Sequence, residues 1–297
     1  MSKRGFTHIP LGPWPQGMVN TVRDTRIPVG GLADAVNTNI RVDGTAYSRN
    51  AWELVLDGAP ARDMFKHNGL TYCVLGNDLV MMDETGSTAL MGGVGRINWS
   101  VLNDKPVFIN HEAIFEIDGS SITRVSEVTK DQQDMDDVLV PMPGGHWLEY
   151  WNGRLIAARG RSLLFSQPLR YGAHNPLTDY IQFPTRIEWI APLESGIYVG
   201  LRGSVRFLGG NTPAELSQTE VAEGSAPGMA LVVSSEFIAQ EVAATPRVAV
   251  FFTSSGFTVG LPNGQVVYPQ KETLRDLPLF RGKLVQDGNR IFAIRGF

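Results

Sequence analysis

One dense group of potential metal-binding side chains occurs in the chain: the carboxylates Asp131, Asp134, Asp136 and Asp137. Several carboxylate oxygens close together are what Ca²⁺ binds in proteins, so the group is a candidate cation site. Its spacing differs from that of an EF-hand loop, and no glycine stands where that loop turns sharply. The pattern therefore favours a solvated acidic loop, and we expect these four residues to line or gate a passage.

Other chemistry-bearing residues are dispersed along the sequence. The five histidines, His8, His67, His111, His146 and His174, form no H-x-x-x-H or H-E-x-x-H pair. The sequence has no phosphate-binding loop of the G-x-x-x-x-G-K-[ST] type and no G-x-S-x-G nucleophile motif. We therefore predict a protein that is not an enzyme and that uses no metal and no cofactor.

The tryptophans suggest two different roles. Exposed tryptophan rings can serve as platforms on which sugars stack, whereas buried rings fill a core. Four of the six tryptophans, Trp99, Trp147, Trp151 and Trp189, fall at similar places in strand-like runs, which favours a core role. Trp14 differs, because it lies in the proline-rich N-terminal segment.

Residues 1–36 differ in composition from the rest of the chain. Prolines fix an extended backbone and remove hydrogen-bond donors, so this segment is predicted to be an extended arm. A tryptophan among prolines is a plausible anchor in a neighbouring protein. We expect the arm to dock on a partner through Ile9, Pro10, Pro13, Trp14, Pro15, Arg23 and Arg26.

Charge and cysteine content restrict the partners and the compartment. The formal net charge is -4 and no basic block occurs, whereas a protein that grips DNA by its phosphates needs a clustered basic face. A mildly acidic surface can still line a passage for DNA without retaining it. The single cysteine allows no disulfide within the chain, which suits assembly in a reducing cytoplasm. No run of apolar residues approaches membrane-helix length, so no membrane insertion is expected.

Hairpin-like units recur along residues 37–297. Short apolar runs alternate with turn dipeptides, as in "HNGLTYCVLGNDLVMMD" and "WNGRLIAARGRSLLFSQP". The turns return about 35 to 50 residues apart, a period typical of four-stranded propeller blades. We predict an all-β fold, a single β-propeller of about five to six blades, with a loop insertion at 126–145. The alternative is an irregular pair of β-sandwiches.

The segment "DTRIPVGGLADAVNTNIRVDGTAYSRNAWELVLDG" resembles the opening of a family of tailed-bacteriophage virion proteins. The matching residues are Leu32, Ala35, Asn37, Gly44 and Arg49. The run "FKHNGLTYCVLGNDLVMMD" is similar to an element that follows in that family. The resemblance implies a β-propeller of the short tail, acting as hub or nozzle below the portal, and it implies no catalytic residues.

The leading hypothesis is a structural protein of the virion tail. It predicts several copies in a ring around the DNA channel, contacts with other tail or connector proteins, and only transient, non-specific proximity to double-stranded DNA. The protein would assemble in the cytoplasm of the bacterial host. The alternative is a receptor- or glycan-binding propeller at a tail tip, and a propeller hydrolase is a third, less favoured possibility.

Overall fold

The computed structural model describes residues 60–83, 86–125, 138–237, 246–269, 281–287 and 290–295, together with four short strands before residue 49. The described residues are all-β: they form five four-stranded antiparallel sheets and four two-stranded pairs, and no α-helix occurs among them. The predicted fold class is therefore confirmed as all-β.

The chain divides into two compact units, one of residues 1–57 with 270–277 and one of residues 58–269 with 278–297. In the first unit, β1 (Gly17–Met18) pairs in parallel with β2 (Gly31–Leu32). The hairpin of β3 (Thr38–Ile40) and β4 (Ala46–Ser48) follows. The division at residue 36 that we predicted from composition stays a prediction.

The second unit begins with three four-stranded sheets. Sheet I consists of β5 (Ala61–His67), β6 (Leu70–Leu75), β7 (Asp78–Met82) and β8 (Ser87–Met91). Sheet II consists of β9 (Asn98–Leu102), β10 (Lys105–Ile109), β11 (Ile114–Asp118) and β12 (Ser121–Arg124). Sheet III consists of β14 (Trp147–Trp151), β15 (Arg154–Arg159), β16 (Ser162–Phe165) and β18 (Tyr180–Gln182). Two short strands outside this sheet are β13 (Val140–Pro141), which precedes β14, and β17 (Ala173–His174), which precedes β18.

Two further four-stranded sheets and a hairpin complete this unit. Sheet IV consists of β19 (Ile187–Leu193), β20 (Gly196–Leu201), β21 (Ser204–Gly209) and β22 (Ser217–Glu223). Sheet V consists of β23 (Ala230–Ser234), a 3₁₀ turn at Ser235–Phe237, β24 (Arg247–Thr253), β25 (Gly256–Gly260) and β26 (Val266–Val267). Sheet VI is the hairpin of β27 (Gly282–Asp287) and β28 (Arg290–Arg295).

The first turn of sheets I, II and III has the same left-handed backbone. In sheet I it is Asn68-Gly69, with φ of 46° and 80°, and in sheet III it is Asn152-Gly153, with φ of 44° and 78°. Positive φ at both central residues defines a type I′ turn, whose twist matches that of the flanking strands. Asparagine and glycine accept this conformation, so these dipeptides determine where the hairpins turn.

The hairpin pattern predicted from the sequence is confirmed strand by strand in sheets II and IV and in the hairpin of sheet VI. In sheets I and III the predicted hairpins are also present, but β5 of sheet I and β18 of sheet III were not predicted. The prediction for sheet V was wrong by one strand. We assigned 247–253 as the opening strand, whereas β23 (Ala230–Ser234) precedes it and pairs with it. The cause is the long connection between these two strands, because no short turn dipeptide joins them into a recognisable hairpin.

Consecutive sheets pack against each other through apolar side chains. Separate clusters of buried residues fill the spaces between sheets I and II, II and III, III to V, and V and VI. The first strands of consecutive sheets, β5, β9, β14, β19, β23 and β27, also contact one another. Buried apolar area is the main stabilising contribution to such packing.

Buried hydrogen bonds tie these first strands together. The Asn98 side-chain oxygen in sheet II accepts from the Leu148 amide of sheet III at 2.8 Å. The Trp151 indole N–H of sheet III donates to the Leu193 carbonyl of sheet IV at 2.9 Å. Because these bonds are shielded from water, they specify how neighbouring sheets align as well as stabilising their contact.

Sheets IV and V interlock through aromatic rings seated over glycines. The ring of Tyr198 lies against Gly260, so close that a Cβ there would stand 2.6 Å from Cζ. The Tyr198 hydroxyl donates to the Leu261 carbonyl at 2.7 Å. Within sheet IV, the indole of Trp189 covers Gly200 in the same way. Glycine is required at both positions because no side chain fits between ring and strand.

Candidate functional site

The residues we predicted to dock a partner or to gate a passage lie outside the described residues. They are Ile9, Pro10, Pro13, Trp14, Pro15, Arg23 and Arg26 of the arm, and Asp131, Asp134, Asp136 and Asp137 of the acidic loop. Their roles stay predictions.

Part of the predicted insertion at 126–145 is described and is packed against sheet III. β13 (Val140–Pro141) pairs with β17 (Ala173–His174). Leu139 and Met142 are buried, and Met142 belongs to the cluster between sheets II and III. Leu139 and Met142 thus attach this part of the insertion to the core, and the gating role of the acidic loop stays a prediction.

The four tryptophans predicted to be core residues are buried, which confirms that prediction. Trp189 is 0% exposed, Trp151 2%, Trp99 7% and Trp147 8%. Their rings therefore offer no platform to a sugar.

None of the described histidines belongs to a group of three potential metal ligands. His174 is buried and its Nδ1 lies 3.0 Å from the Phe165 carbonyl oxygen. His111 is exposed and lies 3.4 Å from Glu112. His146 differs from both, because it is half-buried among the first strands.

The arrangement most relevant to function is a set of ionisable side chains on or beside the first strands. Asp63 of β5 lies at a bulge and has φ of 52°. Its carboxylate accepts the Ile97 amide at 3.2 Å, and its carbonyl accepts the Trp99 indole N–H at 2.5 Å. The bulge therefore presents Asp63 to sheet II, and aspartate is among the residues that tolerate this backbone.

Lys283 of the last sheet is influenced by a charge of the first sheet. It is half-buried in β27, and burial lowers the pKa of its ammonium group. The negative charge of Asp63 in sheet I acts in the opposite direction and favours the ionised lysine.

Glu149 stands in the middle of β14 and is also half-buried. Burial raises its pKa to about 8, against the weaker opposing effects of the Trp147 indole N–H, which donates to Oε1 at 3.2 Å, and of Arg247. The side chain is thus mainly protonated at neutral pH.

Glu149 and Arg247 belong to sheets that are not consecutive, III and V. The charge of Arg247 nevertheless acts on Glu149, which shows that these sheets converge. A carboxyl group with a raised pKa also occurs at catalytic acids. Here the group that acts on it is a cation, whereas glycosidase chemistry needs a second carboxylate. We call Asp63, Glu149, Arg247 and Lys283 the inter-sheet charges.

The inter-sheet charges were not among the site residues predicted from the sequence. Asp63, Glu149 and Lys283 each interrupt a first strand with an ionisable residue, which is the signal that was available. Such residues are usually solvated on one face of a strand, so their convergence could not be inferred from the strand pattern alone.

Exposed apolar side chains lie on or next to the connection between β16 and β18. Leu169 is 71% exposed with φ of 57°, and Leu177 is 72% exposed. Tyr180, at the start of β18, is 42% exposed, and Tyr150 of the same sheet is 43% exposed. Sheet III and its connections therefore expose both apolar and aromatic side chains.

In the described part of the chain, no helix is long and apolar enough to cross a membrane.

Comparison with known proteins establishes no family. No protein-family model matches the sequence, and no curated protein matches it. Among solved structures, an auxiliary nutrient binding protein from Bacteroides ovatus is similar at 13% identity and a TM-score of 0.47, over 76% of this chain and 63% of that one. Its counterpart from Bacteroides thetaiotaomicron is similar at 12% identity and a TM-score of 0.49, over 79% and 65%.

The N-terminal domain of Nup159 is similar at 10% identity and a TM-score of 0.49, over 78% of this chain and 72% of that one. The chain spans less than two thirds of the length of the two nutrient binding proteins. These values do not establish a relationship to any of the three proteins.

Proposed function

We propose that sheets I to VI are the blades of one closed β-propeller. The support is that charges act between sheets that are distant in sequence: Asp63 of sheet I on Lys283 of sheet VI, and Arg247 of sheet V on Glu149 of sheet III. Blades around one axis bring their first strands together in this way, and closure protects the sheets from edge-to-edge pairing.

Closure predicts energetic coupling between Asp63 and Lys283. In a double-mutant cycle with Asp63→Asn and Lys283→Met, the free energies of unfolding should be non-additive by about 1 kcal/mol or more. Asparagine keeps an acceptor for the Ile97 amide, so the cycle isolates the charge. The control cycle combines Asp63→Asn with Lys105→Met. Lys105 forms its ion pairs, at 2.9 Å, with Glu116 and Asp118 of its own sheet. If the free energies of unfolding are additive in both cycles, sheets I and VI do not close a ring.

We further propose that the protein is a non-enzymatic structural component of a bacteriophage tail, a hub or nozzle subunit that forms a multi-copy ring around the DNA channel. The observation that carries this proposal is the interlocking of consecutive sheets by buried bonds between first strands, such as Trp151 to Leu193. A rigid body of this kind suits load-bearing assembly. The sequence resemblance around Leu32 to Arg49 adds support.

Two features of the chain suit the contacts that this role requires. Exposed Leu169 and Leu177 leave apolar area on one side of sheet III for a neighbouring copy. We propose that the proline-rich arm contacts other tail or connector proteins. The net charge of -4 agrees with brief, non-specific passage of DNA. The location would be the virion tail after assembly in the host cytoplasm.

Assembly is the direct test of this role. Electron-microscope imaging and solution mass of the full chain should show rings of several copies, alone or with tail partners. Deleting residues 1–30 should abolish incorporation into particles while leaving thermal unfolding of the β unit unchanged. Normal incorporation of the truncated chain would refute docking through the arm, and a monomer in the presence of tail partners would refute the ring.

A receptor- or glycan-binding module is the second candidate, favoured by the exposure of Tyr150 and Tyr180 on the same sheet. Tyrosine combines an apolar ring with a hydroxyl, which suits contact with sugars. Glycan-array binding that disappears in Tyr150→Ala and Tyr180→Ala would identify this function. The buried Trp147 and Trp151 are not suitable positions for that test, since their replacement would alter the core.

A further inference from the structure

Three Asn-Gly dipeptides occur in the sequence, and all three lie in turns of the described structure. They are Asn68-Gly69 in sheet I, Asn152-Gly153 in sheet III and Asn263-Gly264 between β25 and β26. Asparagine is a chemically labile residue. A following glycine has no side chain to shield its backbone nitrogen, so that nitrogen can attack the asparagine side chain where the surroundings permit.

The turns Asn68-Gly69 and Asn152-Gly153 have almost the same backbone. Their φ values are 46° and 80° in sheet I and 44° and 78° in sheet III. Each turn joins the first and second strands of its sheet. A difference in reactivity between the two asparagines must therefore come from the segments that surround them.

The glycines of these two turns have different neighbours. In the described structure, a Cβ on Gly69 would meet nothing within 4 Å, whereas one on Gly153 would contact Cδ2 of Leu169 at 3.7 Å. The Leu169 amide also donates to the Gly153 carbonyl at 2.8 Å. The backbone around Gly69 can thus rotate without displacing another segment, whereas the turn at Gly153 is held from outside.

The third dipeptide is the most enclosed of the three. A Cβ on Gly264 would stand 2.5 Å from Cδ1 of Phe207, and the Gly264 amide donates to the Leu261 carbonyl at 3.0 Å. The Asn263 side chain accepts the Gln265 amide at 3.0 Å and donates to Oε1 of the same residue at 3.1 Å. Both the attacking nitrogen and the side chain that it would attack are therefore already engaged.

The side-chain amides of Asn152 and Asn68 are also held differently. Nδ2 of Asn152 donates to the carbonyls of Glu194 at 3.1 Å and Asn211 at 3.3 Å, which belong to two turns of sheet IV. Nδ2 of Asn68 donates to Oδ2 of Asp104 at 3.3 Å, and the Asp104 side chain is 80% exposed. Asn68 thus has to break one long hydrogen bond to a surface side chain, whereas Asn152 has to break two to the backbone.

We propose that Asn68 is a site of self-modification by deamidation. The backbone nitrogen of Gly69 loses its proton and attacks Cγ of Asn68, and the side-chain nitrogen takes up a proton and leaves as ammonia. The product is a five-membered succinimide ring. Water then opens the ring at either carbonyl, which yields aspartate or isoaspartate. Water is the only co-reactant and nothing is oxidised or reduced. This site is independent of the tail role.

Deamidation at this position alters the contact between sheets I and II. Nε2 of His67 lies 2.8 Å from the carbonyl oxygen of Asp104, and the Asn68 amide contacts the carboxylate of the same residue. A carboxylate at position 68 would face that of Asp104, and like charges at such a distance repel. The isoaspartate product also adds a carbon to the backbone of a two-residue turn, whose geometry determines the hairpin. The modification therefore loosens this contact as the protein ages.

The test follows the three asparagines in one sample. The full chain is incubated folded at mildly alkaline pH, and peptide mapping by mass spectrometry follows the replacement of each amide by a carboxylate. Asn68 should react faster than Asn152 and Asn263 by about tenfold or more, because the other two turns must open locally before the ring can close. In water enriched in ¹⁸O, the product at position 68 should carry one labelled oxygen.

The denatured chain provides the control for intrinsic reactivity. In urea the three asparagines should react at similar rates, since each is followed by glycine and the fold no longer distinguishes them. Equal rates in the folded chain, a faster reaction at Asn152 or Asn263, or an unmodified Asn68 under conditions in which the denatured chain reacts would each overturn the proposal.

Variants test the effect on the contact between the sheets. Asn68→Asp should lower Tm by up to about 4 °C, and Asp104→Asn in the same chain should restore it. Asn263→Asp, whose side chain lies away from sheet II, should not be restored by Asp104→Asn. An unchanged Tm in Asn68→Asp would refute the loosening by charge.

Discussion

Replacing Gly200 with alanine is expected to destabilise the β unit by about 3 kcal/mol, at the upper end of overpacking effects. Gly200 lies in β20 directly under the indole of Trp189, and an added Cβ would overlap Cε2, Nε1 and Cδ2 of that ring. Trp189 is 0% exposed and sits in the core shared by sheets III to V, so it cannot move away without displacing its neighbours. Tm should fall by roughly 6 to 12 °C.

Gly203 supplies the matched control, because it lies close to Gly200, in the turn between β20 and β21. A Cβ on Gly203 would meet nothing within 4 Å. Gly203→Ala should therefore change the free energy of unfolding by less than about 0.5 kcal/mol, as for other surface substitutions. Urea unfolding of both variants gives the comparison. Similar small effects at the two positions would mean that Trp189 does not pack on β20 as described.

Glu149→Gln is expected to change the pH dependence of stability. In the folded chain the pKa of Glu149 is raised to about 8, whereas its ordinary value is 4.5. Between these values the folded state holds a proton that the unfolded state has lost. Stability therefore decreases as the pH rises through this range, by up to about 1.4 kcal/mol per pH unit.

Glutamine resembles the protonated side chain and still accepts the Trp147 indole N–H, but it does not titrate. The variant should match the wild type near pH 5 and be clearly more stable near pH 8, as measured by urea midpoints across that interval. Glu220→Gln, on the outer strand β22, where Glu220 is 54% exposed, serves as the control and should leave the slope unchanged. Parallel curves for wild type and Glu149→Gln would show that Glu149 is ionised in the folded protein.

Local signals in the sequence were sufficient for the strand pattern. Dipeptides such as Asn68-Gly69 and Asn152-Gly153 adopt left-handed turns wherever they join two apolar runs, so they predict hairpins without knowledge of the rest of the chain. The burial of Trp99 and Trp189 follows from the same periodicity. β23 was not predicted, because a long connection separates it from its partner β24. Pairing between strands so far apart produces no turn signal in the neighbouring sequence.

By itself the sequence determined the fold class, most strands and the interior position of the repeated tryptophans, because these depend on contacts between residues close together in the chain. The tertiary structure alone decided which charges act on one another: Asp63 on Lys283, Arg247 on Glu149, and Arg186 and Arg281 on His146. Each of these side chains is ordinary in its own strand. The altered pKa values of Lys283, Glu149 and His146 arise from burial between sheets and from charges on sheets distant in sequence, because both depend on distance in space.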